Sequence, residues 1–327
     1  MLCSRIRRRL VADPRVLCLG EALVDRLGPS GGDPALDQPV DDRLGGAPAN
    51  VACALARLGT PVAFVGRLGR DAIGDQFFRL FQQRGIESSG VQLDPERPSR
   101  IVLVRRTVGG ERQFQGFAGN RGQGFADQAL QAPTLSGSAR WLLVGTIPLA
   151  TPAAAAALRG AVDQARVRGM AIAVDVNWRP TFWDADADPS AGPPPSALAA
   201  IRPLLEQAAM IKLAREEAIW FFGSAQAQEI SGLLPQAPDV VVTDGAEPVT
   251  WWMEGASGSL AAFRPSDVVD TTGAGDAFTA GLLHCWDLPP AHRVRFAAGC
   301  GALVCSGAGG IDPQPSAPEV EAFIAGE

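Results

Sequence analysis

The 327-residue chain has no tyrosine, two histidines (His284 and His292) and one lysine, Lys212, set against 28 arginines. Each scarcity removes a class of chemistry. Without tyrosine, no phenol can serve as acid or base. Lys212 follows Ile211, so the Gly-Lys-Ser/Thr core of a P-loop is absent. Two histidines cannot supply a three-His metal site. A Ser-His-Asp hydrolase would have to draw on one of two histidines near the C-terminus. The chemistry must therefore rest on Asp, Glu, Arg, Asn, backbone dipoles or a bound metal. At most positions the excess of arginine over lysine reads as codon usage.

A formal net charge of −6 offers no basic footprint for nucleic acid. The one basic cluster, Arg5, Arg7, Arg8 and Arg9, runs into Asp13, Pro14 and Arg15 rather than an apolar stretch. Residues 1–13 thus read as a solvated N-terminal extension, not a signal peptide. No apolar run approaches the ~20 residues that span a bilayer, so no membrane partner is expected. The six cysteines (Cys3, Cys18, Cys53, Cys285, Cys300, Cys305) form no C-x-x-C pair. Their apolar neighbours favour buried free thiols, with a Cys300–Cys305 pairing left open, and the simplest compartment is a reducing cytoplasm.

What the chain does have is rhythm. Short apolar runs begin at Val16, Val62, Ile101, Trp141, Met170, Met210 and Val240, several of them uninterrupted, as strands buried on both faces should be. Helix-like segments lie between them: 49–58, 71–84, 152–168, 197–208 and 215–222. Three more, 274–286, 291–305 and 317–325, close the chain. Alternating β and α predicts a mostly parallel central sheet flanked by helices. Two segments break the pattern. Residues 25–43 are rich in Gly, Pro and Asp, and 99–117 alternate around a Gly109-Gly110 turn signal, as a half-exposed hairpin does. They predict a small sheet standing off the main one, or else two surface loops. Residues 188–196, rich in proline, read as a loop.

Two glycine motifs carry the chemistry. The first, Gly45-Gly46-Ala47-Pro48-Ala49-Asn50, opens a helix that stops at Gly59. Its glycines let a ligand approach the backbone, and Asn50 offers a donor and an acceptor that suit vicinal hydroxyls. A plain loop-to-helix junction with Asn50 in solvent is the other reading. The second motif is Asp270-Thr271-Thr272-Gly273-Ala274-Gly275-Asp276-Ala277-Phe278. A helix N-terminus with two glycines can aim N–H groups at an anion, and its dipole favours a phosphate there. Asp276 would then sit beside the anion. It could instead only complement the dipole, but Asp270 just upstream suggests one base and one cation ligand. Phe278 stands where a third glycine would be, so this is not a dinucleotide fingerprint.

At these motifs the chain resembles the ribokinase-like, or PfkB, carbohydrate kinases, and within them bacterial fructokinases. Gly145-Thr146-Ile147-Pro148 and Asp175-Val176-Asn177-Trp178-Arg179-Pro180 add to the likeness, which runs from Cys18-Leu19-Gly20-Glu21 to the last helices. The resemblance implies a Rossmann-like α/β domain over 14–327 carrying a small β-sheet lid (segments about 23–43 and 99–118). It implies ATP-dependent phosphorylation of a sugar's primary hydroxyl, D-fructose to D-fructose 6-phosphate first. Ribokinase, 2-keto-3-deoxygluconate kinase and nucleoside kinase are the alternatives of the same family. A sugar- or nucleotide-binding regulator without catalysis is the alternative of another class.

Carried over, Asp276 is the base and Gly273, Ala274 and Gly275 form the anion hole. Asp25, Gly45, Gly46 and Asn50 hold the sugar. By position rather than resemblance, Asp175, Asn177 and Arg179 end a strand where open α/β sheets bind ligands and Arg105 lies on the lid segment, which makes them further substrate contacts; a salt-bridged loop and a solvated arginine are the other readings. Thr243 and Gly245, together with Gly273 and Gly275, face the nucleotide; Lys212, at a strand end, is placed either to reach the nucleotide phosphates or to pack its stem at the sheet rim. Glu217 organises Mg²⁺ through water, and Asp270 and Thr272 contribute oxygens to a monovalent-cation site, with K⁺ the candidate. A homodimer through the lid is implied as well, although Arg105, Arg106, Glu111 and Arg112 charge that segment. Two departures stand out: Ala214 replaces the Asn of the family's Asn-x-x-Glu, and Pro248 replaces a glycine on the nucleotide side, where it lacks an N–H.

Overall fold

Apolar runs without alternation need cover on both faces, and this chain provides it with helices on each side of one long sheet. The computed structural model describes residues 15–106, 112–119, 122–135, 139–265 and 267–326. The 1–13 extension with its arginines and Cys3, the Gly109-Gly110 turn and Glu111 lie outside the described residues. In chain order the elements are β1 (Val16–Leu19), β2 (Leu23–Ser30), β3 (Asp41–Gly45), α1 (Ala47–Leu58), β4 (Val62–Gly69), α2 (Ala72–Arg84), β5 (Val91–Asp94), β6 (Ile101–Arg106) and β7 (Arg112–Phe117). Next come β8 (Trp141–Val144), α3 (Pro152–Val167), β9 (Ala171–Asp175), α4 (Pro180–Trp183), α5 (Pro195–Leu205), β10 (Met210–Ala214), α6 (Arg215–Phe222) and α7 (Ala227–Gly232). The last are β11 (Asp239–Asp244), β12 (Glu247–Met253), β13 (Ala256–Leu260), α8 (Ala274–His284), α9 (Pro290–Val304) and α10 (Ala317–Gly326).

The main sheet has nine strands in the order β13-β12-β11-β10-β9-β8-β1-β4-β5. It is parallel from β5 to β11, and the hairpin β12–β13 adds an antiparallel edge. Within β1, Val16 and Cys18 pack with α1, α2, α8 and α9, whereas Leu17 and Leu19 pack with α3 and α5. The two-residue period of a strand thus divides one apolar run between two helical layers. Pro248 falls at a register shift in the β11–β12 ladder, where a missing N–H breaks no strand pairing.

The rhythm-breaking segments form the smaller sheet, β3-β2-β6-β7. Leu23, Val102, Phe117 and Phe125 make a core of its own on the face toward the main domain. The main sheet winds from β1 through β4 to β5, and β8 then starts on the other side of β1. The winding reverses between β1 and β8, and ligands of open α/β sheets bind outside the carboxyl ends of the strands at such a point. Five cysteines are free thiols among the described residues. Among the same residues, no helix is long and apolar enough to cross a membrane.

Candidate active site

The first glycine motif forms the turn into α1. Gly46 has φ 100°, and a Cβ there would lie 2.6 Å from the carbonyl oxygen of Glu21, so only glycine fits. Pro48 in the first turn of α1 needs no hydrogen-bond acceptor for its nitrogen. One turn in, Asn50 Nδ2 donates to Asp276 Oδ2 at 2.8 Å, which joins the two motifs across 226 residues of sequence. Asn50 Oδ1 is buried without a partner. A clamp fixes this helix: Gln314 Nε2 donates to the carbonyls of Asn50 and Gly310, and Arg84 donates to Gln314 and to the carbonyls of Cys53 and Ile311.

The second motif starts α8. Gly273 has φ 79°, and a Cβ on it would lie 2.5 Å from Gly310 Cα. A Cβ on Gly275 would lie 2.7 Å from Lys212 Nζ, so the chain's one lysine reaches the N-terminus of this helix. Lys212 is buried and paired with Asp175 at 3.2 Å. Asp175 Oδ2 also accepts from Thr279 Oγ1 of α8, at 2.8 Å. Burial works against the ammonium charge, but Asp175, Glu217 and Asp276 outweigh it and hold the Lys212 pKa above its ordinary value. Burial first, then the charge of Asp175, push Asp276 up to about 6, against the Asn50 hydrogen bond and the cations Lys212 and Arg179.

Loops at the strand ends are pinned to one another. Thr146 Oγ1 donates to the Val176 carbonyl, and the Val176 N–H donates to the Lys212 carbonyl. Glu217 takes the Trp178 N–H on Oε1 at 2.6 Å and the Ala214 N–H on Oε2 at 2.7 Å. Burial raises the Glu217 pKa, opposed by Lys212. Between the two pinned residues, Asn177 has φ 41°, a left-handed conformation that Asn tolerates better than most residues. Asp270 fixes the loop ahead of α8, with Oδ1 accepting from the Thr272 N–H and hydroxyl and Oδ2 from the Gly309 N–H.

Between the small sheet and these strand ends lies a cavity of about 600 Å³. Asp25, Gly46, Asn50, Asn177, Arg179, Lys212, Glu217, Thr272, Gly273, Gly275 and Asp276 line it, with Leu23, Val102, Val104 and Phe114 from the small sheet. Other expected contacts stand elsewhere. Asp175 lies behind Lys212 rather than on the cavity wall, because the ammonium needs a buried counter-charge. Gly45 sits behind the turn, where a Cβ would meet Asp25 Oδ2 at 3.2 Å. The Ala274 N–H closes the turn onto the Thr271 carbonyl. Arg105 is the clearest correction: strand alternation puts Val102 and Val104 toward the cavity and Arg105 on the opposite face, bonded to Gln115. Thr243 pairs in register with Ala214 one strand beyond the cavity, and Gly245 lies in the turn that follows.

Sequence reasoning gave no role to Thr279, Gln314, Gly310 or the carboxyl of Glu21. Thr279 had a signal, a polar residue inside the apolar run of α8. Gln314 and Gly310 had none, since their partners are remote in sequence.

A family model described as pfkB family carbohydrate kinase matches residues 13–317. A fructokinase of Vibrio alginolyticus is 30% identical over 324 residues, 95% of this chain and 99% of that protein. Fructokinase with bound ATP from Xylella fastidiosa aligns with TM-score 0.80 at 28% identity, covering 95% of this chain and 98% of that one. Fructokinase from Vibrio cholerae O395, in its fructose, ADP and calcium ion bound form, gives TM-score 0.80 at 28% identity over 95% of this chain and 99% of that one.

Proposed function

The chain belongs to the pfkB family of carbohydrate kinases, which phosphorylate sugars, and from that premise we propose that its substrate is D-fructose, converted by ATP to D-fructose 6-phosphate. The observation that carries the reading is the Asn50–Asp276 hydrogen bond, which brings the sugar-side turn and the phosphate-side helix start to one point of one cavity. The relatives named fructokinase give the choice of sugar.

Phosphoryl transfer leaves the protein little covalent work; positioning and charge stabilisation dominate. Asp25, Gly46 and Asn50 hold the sugar. Asn50 Nδ2 orients the Asp276 carboxylate, whose oxygen accepts the proton of the attacking hydroxyl. Gly273, Gly275 and the N-terminus of α8, with the Lys212 ammonium beside them, stabilise the negative charge of the group in transfer. The small sheet covers the cavity and limits attack by water. Asn177 and Arg179 complete its wall.

The donor set does not grip a metal by itself. No group of three or more His, Cys, Asp or Glu able to hold an ion occurs among the described residues. Both Glu217 oxygens already accept backbone N–H bonds. That suits Mg²⁺, which keeps several waters and is held largely by substrate phosphates. Glu217 on the cavity wall would meet it through water, and when bound it neutralises charge on the phosphate oxygens. Asp270 and Thr272 are our candidates for the K⁺ site, and Thr243 and Gly245 stay on the nucleotide side.

An ADP-release assay over D-fructose, D-ribose, 2-keto-3-deoxygluconate and adenosine tests the proposal. Fructose is expected to give the highest kcat/KM. A higher value for another acceptor overturns the choice of sugar, and sugar binding with no ADP release from any of them points to the regulatory alternative.

A further inference from the structure

The mechanism above leaves one acid of the cavity unused. Glu21 follows Gly20 at the end of β1, where the winding of the main sheet reverses, and is 3% exposed. Its Oε1 accepts the N–H of Ala47, the first residue of α1, at 3.2 Å. Its Oε2 is buried and has no hydrogen-bond partner. Glu21 is one of the residues that line the large cavity. It also borders an inner space of about 10 Å³, the size of one water, shared with Arg100 and Asp127. Arg100 is committed elsewhere: it donates from Nε and Nη2 to Asp127, with the rings of Phe117, Phe125 and Phe182 around its guanidinium, although its Nη1 has no partner.

We propose that Glu21 is a specificity-determining residue of the sugar site, its Oε2 making a hydrogen bond with a substrate oxygen beneath the Gly46–Ala47 turn. The inference rests on the sugar-kinase reading. Because the Gly46 turn packs directly on the Glu21 carbonyl, a sugar lying against that turn is beside the Glu21 carboxyl as well as Asn50. Two unpartnered polar atoms, Glu21 Oε2 and Asn50 Oδ1, flank the turn. A buried polar atom without a partner costs free energy that a ligand hydroxyl relieves.

Glu21 serves as the donor of this pair. Burial, reinforced by Asp127 and Asp276 against the backbone N–H groups of Glu21 and Ala47, pushes its carboxyl up to about 8. At neutral pH the carboxyl therefore carries its proton, and Asn50 Oδ1 supplies the acceptor. The charged groups around this carboxyl are Asp25 of β2 and Asp276 of α8, which line the large cavity with it, and Arg100 and Asp127, which border the inner space.

The test uses the full chain, saturating ATP and whichever sugar of the four-acceptor panel gives the highest kcat/KM. Glu21→Leu should raise the KM for that sugar by about 10–100-fold, the loss of a hydrogen bond to a substrate hydroxyl, and leave the KM for ATP unchanged. Glu21→Gln keeps a donor in place and should stay within about threefold of the parent at pH 7. The parent's sugar KM should rise from about pH 7 to about pH 9 as the carboxyl ionises, while that of Glu21→Gln stays flat. If Glu21→Leu does not fold, the pH comparison decides alone. A parent KM that is flat over this range, or a Glu21→Leu protein with the parent's sugar KM, overturns the proposal. Either would mean that Oε2 serves only a water shared with Arg100. Selection of a sugar other than fructose refutes the fructose assignment and leaves the Glu21 test standing on the sugar selected.

Discussion

Asp276 accepts a proton only while ionised, so its raised pKa fixes the acid side of the activity. With the carboxyl at about 6, kcat/KM for the sugar should fall as pH drops through that value and level off above it until the Glu21 carboxyl ionises near 8, which a pH–rate profile reads directly. Asp276→Asn removes the acceptor and should lower kcat by about 10²–10⁴-fold, with the melting temperature held. Lys212 tests the opposite sign of charge. Lys212→Met leaves the Asp175 carboxylate buried with Thr279 as its remaining side-chain partner, a change that costs about 3–5 kcal/mol when a buried pair is broken. Adding Asp175→Asn should restore much of the melting temperature but none of the lost kcat, because the ammonium beside Gly275 is still missing. Calorimetry and ADP release on the single and double variants separate the two roles. Recovery of kcat in the double variant would remove Lys212 from the reaction.

At the scale of elements, the start of α8 is where backbone geometry does the chemistry. Gly273→Ala combines a left-handed φ with a Cβ placed 2.5 Å from backbone Gly310, and neither side can yield without moving a loop. Gly59→Ala, at the C-terminus of α1, has φ 92° with nothing within 4 Å. Both should lose about 1–2 kcal/mol to the left-handed conformation, but only Gly273→Ala should also raise the KM for ATP. The contrast shows what a sequence reveals. Strands such as Val16–Leu19 and Val240–Thr243 were legible because uninterrupted apolar runs have few other uses. β5 (Val91–Asp94) was not, because its alternation lasts four residues and its place is set by pairing with β4. The two glycine motifs were legible because each ends in a helix with a polar residue in its first turn. The outward face of Arg105 and the retreat of Asp175 behind Lys212 were not, since each depends on a partner that only the fold brings near. The same holds for Glu217, whose spacing matches a metal-organising glutamate while both its oxygens hold backbone N–H groups.

The whole molecule raises the question of a second copy. A lid-to-lid dimer needs an apolar centre on the outer face of the small sheet and about 800 Å² buried per partner. Among the described residues, the apolar side chains Val24 and Leu103 on that face are already buried within one chain, 1% and 7% exposed. Two outward arginines of that face are internally paired. Arg26 Nε and Nη2 donate to both oxygens of Asp42, and Arg105 donates to Gln115. Covering these groups would strip water from charges that gain no new partner, a cost that rim polar contacts seldom recover. Copies of the 34.2 kDa chain are therefore not expected to pair through this face, with or without sugar, which sedimentation at micromolar concentration reads. Replacing Arg26 and Asp42 together by leucines should be the change that first brings two copies together through this sheet. A parent that sediments as a dimer, with the Arg26 and Asp42 replacements leaving its mass unchanged, would put the interface on another face.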